Sequence, residues 1–262
     1  MFIRPLGFRT PLGGYQATAV NVNSGDAAPY YFQKASGFAG SDSTLLTVAT
    51  WVRRRASDTN VNAIFTDESW AEMLLDNWAD GATDNKVVVE FRDSANNGMT
   101  QRTASTTFST HGIGWDQWLC FLWSINFSGN PSVSKLWCCG PGIADTNILS
   151  ITEAAGPITM DLNRATQLYM HRTSGTLPDL VVSYSDTTWN QGTALNFDTE
   201  SERRKFVTAD GLPVDPGVDG SGCWGFQPHS FMLGGDYSNN IGSGADWTAV
   251  GTIPAAPDAP GS

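Results

Sequence analysis

The 262-residue chain reads as an all-β protein, an antiparallel β-sandwich with one short helix near its C-terminus. Three observations predict this. Short runs rich in β-branched and aromatic residues recur between clusters of Gly, Pro, Asn, Asp and Ser, the punctuation of strands and turns. The stretch 118–127 alternates with period two over a length that only a strand explains. Almost nothing carries a helical period. Because the single core of a sandwich can run to roughly 200–250 residues, one domain is expected. Residues 21–252 are assigned to the sandwich, 1–20 to an extended N-terminal arm and 253–262 to a flexible C-terminal tail.

Taken in order, the strands are expected at 27–33, 45–53, 61–65, 86–92, 117–127, 133–139, 167–171, 179–184 and 231–233. Within the fifth, Leu119, Phe121, Trp123, Ile125 and Phe127 share one face and form core. The opposite face carries Trp118, Cys120 and Leu122 and then turns polar at Ser124 and Asn126. That pattern predicts a central strand covered on both faces along its first half only. The turn Ser128-Gly129-Asn130-Pro131 joins it to 133–139 as a hairpin. The one helix is expected at Thr199-Glu200-Ser201-Glu202, which has the form of a capping box, with Arg203, Arg204 and Lys205 after it where the helix dipole favours cations. Gly211 and Pro213 stop it. Both chain ends are rich in Gly and Pro and lack apolar periodicity. In the first, Phe2, Ile3, Leu6 and Phe8 are candidates for docking on a neighbouring subunit.

With 40% hydrophobic and 16% charged residues, the chain falls outside the disordered class. A formal net charge of −11 repels phosphate backbones and anionic membranes, so neither nucleic acid nor membrane is an expected partner. The basic runs Arg53-Arg54-Arg55 and Arg203-Arg204-Lys205 are read as solvated charges at element ends. The first 16 residues hold two Arg, two Pro and three Gly and so lack the apolar stretch of a signal peptide, and no window is apolar enough to span a bilayer. Synthesis in the cytoplasm, in aqueous phase, is expected. The cysteines Cys120, Cys138, Cys139 and Cys223 show no zinc spacing. Buried thiols are expected, with the vicinal pair pointing to opposite faces of its strand and a later bridge from Cys120 to one of the pair left open.

The block Ser43-Thr44-Leu45-Leu46-Thr47-Val48-Ala49-Thr50-Trp51-Val52-Arg53 resembles the early strand of laminin-G-like, concanavalin A-like sandwich domains, with Ile64-Phe65-Thr66 in the place of the following strand. Gly114-Trp115-Asp116-Gln117-Trp118-Leu119 is similar to that family's Gly-Trp-x-x-Trp turn into the central strand. The stretch from Glu202 through Arg203-Arg204-Lys205-Phe206 to Ser221 is similar to the C-terminal part of concanavalin A-like proteins of tailed bacteriophages. The resemblance departs at the start, where Asn21-Val22-Asn23-Ser24-Gly25 replaces the usual Phe-Asp-Gly turn. It implies a jelly-roll sandwich and a virion-associated role: a non-enzymatic structural protein on the particle surface, as capsid decoration, head fibre or tail-associated module, assembling with other virion proteins and with itself as a homo-oligomer.

No catalytic constellation emerges. Asp67-Glu68 with Glu72, and Glu90 with Arg92 and Asp93, are the nearest acidic groupings, neither with the alternating acids of a retaining glycanase, and Glu90 stands alone. His111, His171 and His229 have no spaced partners, and no Gly-x-Ser-x-Gly elbow occurs. No cofactor is expected, although Asp76, Asp80 and Asp84 lie in an oxygen-rich loop of the kind that holds calcium at the rim of laminin-G-like domains. The alternative function is lectin-like recognition of a host-surface glycan. For this Trp70, Trp78, Trp189, Trp224 and Trp247, all near loops, are the candidates to stack on sugar faces, whereas Trp51, Trp118 and Trp123 are expected in the core.

Overall fold

The computed structural model describes residues 15–22, 31–35, 40–54, 63–66, 72–74, 88–92, 99–103, 112–114, 116–129, 132–153, 157–163, 168–170 and 182–260. These form two antiparallel sheets. The first contains β1 (Val20–Val22), β12 (Val182–Gln191), β3 (Leu45–Arg54), β8 (Trp118–Asn126), β9 (Ser132–Gly140) and β10 (Ile143–Glu153) in that spatial order, with β13 (Ser230–Met232) also on β12. The second runs β14 (Thr248–Val250), β2 (Tyr31–Lys34), β11 (Leu168–Met170), β4 (Ala63–Thr66), β5 (Glu72–Leu74), β6 (Val88–Arg92) and β7 (Met99–Thr103). The all-β sandwich is thus established by its own strand register. Among the described residues no helix is long and apolar enough to cross a membrane.

The alternation in β8 decides how the first sheet is used. Leu119, Phe121, Trp123 and Ile125 join Leu46, Val48 and Val52 of β3 and Phe32 of β2 in the inner core between the sheets. The other face holds Trp118, Cys120 and Leu122 with Ala49 and Trp51 of β3 and Cys139 of β9. That face is covered by irregular chain and two one-turn helices, α1 (Glu200–Arg203) and α2 (Ser221–Trp224), which contribute Phe197, Phe206, Val207, Cys223 and Trp224. The molecule therefore has a third layer, which the sequence announced only by the apolar first half of the outer face of β8. The vicinal thiols separate as expected: Cys138 faces the inner core and Cys139 the outer one. All four cysteines are free and buried. Cys120 stands opposite Cys139 in register.

Several expectations need correction. The Thr199 side chain makes no cap bond, and the Glu202 carboxylate accepts instead from Lys205 Nζ at 2.7 Å, so no capping box forms. A four-residue turn leaves Glu202 free to pair forward along the chain rather than back. The segment read as a free tail runs beside β1: Asn21 N donates to Pro254 O and Ala256 N to Ala19 O, both at 2.9 Å. The described end of the expected arm, residues 15–20, is likewise docked, with Tyr15 Oη donating to Asp186. The strands β1, β5, β7, β10 and β14 and the helix α2 were not anticipated.

Candidate functional site

The polar second half of the outer face of β8 is where the third layer stops. Ser124 and Asn126 lie there beside Lys135 and Val133 of β9, their register partners, and the segment Ala194–Phe197 forms the opposite rim. Together they line an open groove of about 210 Å³, smaller than the pockets that enclose a drug-sized ligand. The Ser124 hydroxyl and the amide nitrogens of Asn126 and Asn196 have no partner among the described residues, since the amide oxygens are the atoms already used. Asn126 Oδ1 accepts from Ser128 N and Oγ, and Asn196 Oδ1 from Asp198 N. The unspent groups are therefore a hydroxyl and two NH₂ donors facing open space.

Lys135 on the groove wall is held by Asp198, which follows Phe197 in the chain. Lys135 Nζ pairs with it, and Trp137 Nε1 donates to its other oxygen at 3.3 Å. The Lys135 hydrogen bond holds the Asp198 carboxyl below the usual range, so it is ionised at neutral pH. The half-buried Trp137 ring carries the Arg203 guanidinium at 4.1 Å, a cation–π contact that fixes the indole plane. Arg203 is itself anchored, with Nε on Asp145 at 2.9 Å and Nη1 on Phe197 O at 2.6 Å. It is buried, contrary to the expectation of a solvated charge, because Asp145 and two carbonyls neutralise and satisfy it. Burial works to raise the Asp145 carboxyl, but hydrogen bonds from Arg203, Cys139 and Arg204 together hold it below its ordinary value.

Of the tryptophans picked as sugar platforms, Trp189, Trp224 and Trp247 are 0%, 4% and 2% exposed and present no ring face to solvent. Trp189 and Trp247 pack edge to face in the inner core, and Trp224 donates to Thr188 Oγ1 in the outer one. Nearness to turn residues does not expose them, since Trp189 and Trp247 belong to the inner core and Trp224 to the outer one. Trp51, Trp118 and Trp123 are core, as expected. Trp70, Trp78, Asp76, Asp80, Asp84, Phe2, Ile3, Leu6 and Phe8 lie outside the described residues, as do His111 and His171. His229 is half-buried and lowered from its usual value, first by burial and then by Lys34, which keeps it neutral.

Glu90 does not stand alone. In the second sheet Glu72 is its direct cross-strand partner, in a register row that continues to Thr66 on one side and Gln101 on the other.

No family model and no curated protein matches the chain. Solved structures similar to it include one on botulinum neurotoxin type C, whose cell entry depends upon interaction with two ganglioside molecules, at TM-score 0.46 and 11% identity over 71% of this chain and 43% of that one. Others are the heptameric SAP-like pentraxin from Limulus polyphemus (TM-score 0.41, 11% identity, 68% and 78% of the two chains) and the binding domain of botulinum neurotoxin DC in complex with rat synaptotagmin II (0.42, 10%, 70% and 45%). The chain spans less than half the length of these neurotoxin chains. Scores and identities of this size say nothing about function.

Proposed function

We propose that the chain is a non-enzymatic recognition domain that takes a single sugar residue of a surface glycan in the groove between β8, β9 and the 194–197 segment. The observation that carries this reading is the set of donors left unspent there. Ser124 Oγ and the Asn126 and Asn196 amide nitrogens suit the oxygen-rich edge of a sugar, and the ionised Asp198 beside Lys135 is an acceptor for its hydroxyl protons. Recognition of this kind needs few, well-placed polar groups held by rigid strands. The test is a glycan array probed with the purified chain and with a Ser124→Ala/Asn126→Ala/Asn196→Ala variant. Binding by the first and not by the second supports the groove; equal binding by both removes it. Sugar release from a bound glycan, abolished by Glu90→Gln, would replace recognition by hydrolysis at the Glu72–Glu90 register pair.

The particle-surface role implied by the phage-like stretch 202–221 is compatible with such a domain and would make the glycan a host receptor. It draws support from that stretch forming a built feature, part of the outer cover with Phe206 and Val207 buried. Incubating particles that lack the protein with the purified chain, then imaging them by electron microscopy, tests it. Density on the capsid fits decoration, density at the tail tip fits receptor binding, and no density counts against either.

A further inference from the structure

The ladder between β12 and β3 slips between Tyr184 opposite Val52 and Thr187 opposite Thr50. Two residues, Ser185 and Asp186, therefore occupy the place opposite one, and such bulges re-aim side chains. Here the result is a carboxylate in the outer core. Asp186 is 6% exposed. Tyr15 Oη donates to both its oxygens at 2.8 Å, and Gly234 N donates to Oδ1 at 2.7 Å. The groups facing it from neighbouring elements are Cys120 of β8, Cys223 of α2 and Tyr237 after the turn at Gly234, and Asp215 before α2 faces Tyr15 and Cys223. Among the described residues none of them is a cation. Asp186, Thr188, Cys120 and Cys223 also border a cavity of about 10 Å³, room for a single water at most.

A buried carboxylate without a counter-charge is costly, and a chain that keeps one at a bulge invites the question of what it holds. It holds the N-terminal segment. Tyr15 bonds to the carboxylate itself, and the neighbouring Ser185 Oγ donates to Thr18 O at 2.6 Å. Gly234, at φ 64°, packs so closely on the Thr18 side chain that no Cβ fits there. Ala19 is buried and ties to the C-terminal segment through Ala256 N. The segment 15–19 is thus part of what keeps water from Asp186.

We propose that Asp186 is a proton-operated latch for the N-terminal segment, closing more firmly when the carboxylate takes up a proton. This goes beyond the glycan reading and does not depend on it. Burial raises the Asp186 carboxyl from 3.8 to about 6, and the Gly234 and Tyr15 hydrogen bonds keep it from rising further. When the segment lifts, water reaches the carboxylate past residues 15–19 and the value falls towards 3.8 by the part of the burial that the segment supplies, the loss of the Tyr15 bond working the other way. Docking therefore binds a proton between those limits: the docked form gains as pH falls from about 7 towards about 4, and above that window both forms are charged and docking is weakest. The gap caps the effect at roughly a hundredfold.

The test is amide hydrogen exchange of residues 15–20 in the full chain, normalised to intrinsic rates, from about pH 7.5 to about pH 4.5. Protection relative to the β8 core is expected to rise severalfold by pH 5, at most about tenfold, and Asp186→Asn is expected to flatten the profile. Tyr15→Phe removes a donor that favours the ionised form, so its midpoint moves to higher pH, a readout that remains should Asp186→Asn fail to fold. Protection that is flat or falls on acidification, a response that Asp186→Asn retains, or an unmoved Tyr15→Phe midpoint overturns the proposal.

Discussion

The two faces of the β1-β12-β3-β8-β9-β10 sheet are covered by different means, the inner by a second sheet and the outer, in part, by irregular chain. The inner face meets another sheet, so regular alternation on one side answers regular alternation on the other, with Trp123, Leu46, Phe121 and Ile125 fully buried. The outer face meets irregular chain, which covers only part of it, and polar groups are buried between the two: Arg203 with Asp145, Asp186 with Tyr15, and three thiols. Regular packing fills space with aliphatic and aromatic carbon. Irregular packing leaves polar atoms to be satisfied one by one, and where it ends it leaves a groove.

If that contrast holds, substitutions should divide by face. The largest effect is expected from Trp123→Ala in the inner core, about 4 kcal/mol, since it opens a cavity and strands the Ser134 hydroxyl that accepts from Trp123 Nε1 at 3.0 Å. Denaturant unfolding measures it, and a cost below about 2 kcal/mol would mean that the inner core repacks freely. Asp145→Ala on the outer face comes next, at about 3 kcal/mol, because it leaves the buried Arg203 guanidinium without its carboxylate. Its unfolding curve should lose midpoint but not slope if the cover stays packed, and slope as well if the cover loosens.

Acidity separates the two outer carboxylates by sign. Asp186 has its value raised, so its contribution to stability is fully present below about pH 4 and is lost as pH rises through about 6, a span of at most about 3 kcal/mol. Asp145 has its value lowered, so its contribution is present above the ordinary carboxylate range and is lost as pH falls through the lowered value. Urea midpoints from about pH 8 to about pH 4.5 are therefore expected to contain an Asp186-dependent rise that Asp186→Asn lacks; identical profiles for the two proteins would contradict the burial argument. The smallest effect is expected in the groove, where Asn126→Ala changes stability by less than about 0.5 kcal/mol because the side chain is exposed. A large cost there would make the groove structural rather than functional.

The inner face was legible because period-two alternation in Leu119 to Phe127 needs no knowledge of the partner, and the β8–β9 hairpin followed from Ser128 to Pro131. The outer cover was not. Phe206, Val207 and Trp224 come from segments without a period, and what buries them is distant in sequence. The long β10 escaped because Pro141 and Gly142 suggest a loop and two bulges break its alternation before Leu149. The polar switch at Ser124 and Asn126 was visible as one wall of the site. Its other wall, Ala194 to Phe197, is an irregular segment that only the fold brings across, and the Glu72–Glu90 pairing likewise depends on a register that no local pattern specifies.

Glycan recognition depends on the groove at the uncovered end of the outer face. Amide and side-chain NMR shifts of the labelled chain, titrated with the oligosaccharide that binds best on the array, test this directly. Saturable shifts centred on Ser124, Asn126, Lys135, Asn196 and the Trp137 indole, absent in the triple alanine variant, are the expected result. Shifts confined to other surfaces, or none with any glycan, would contradict it.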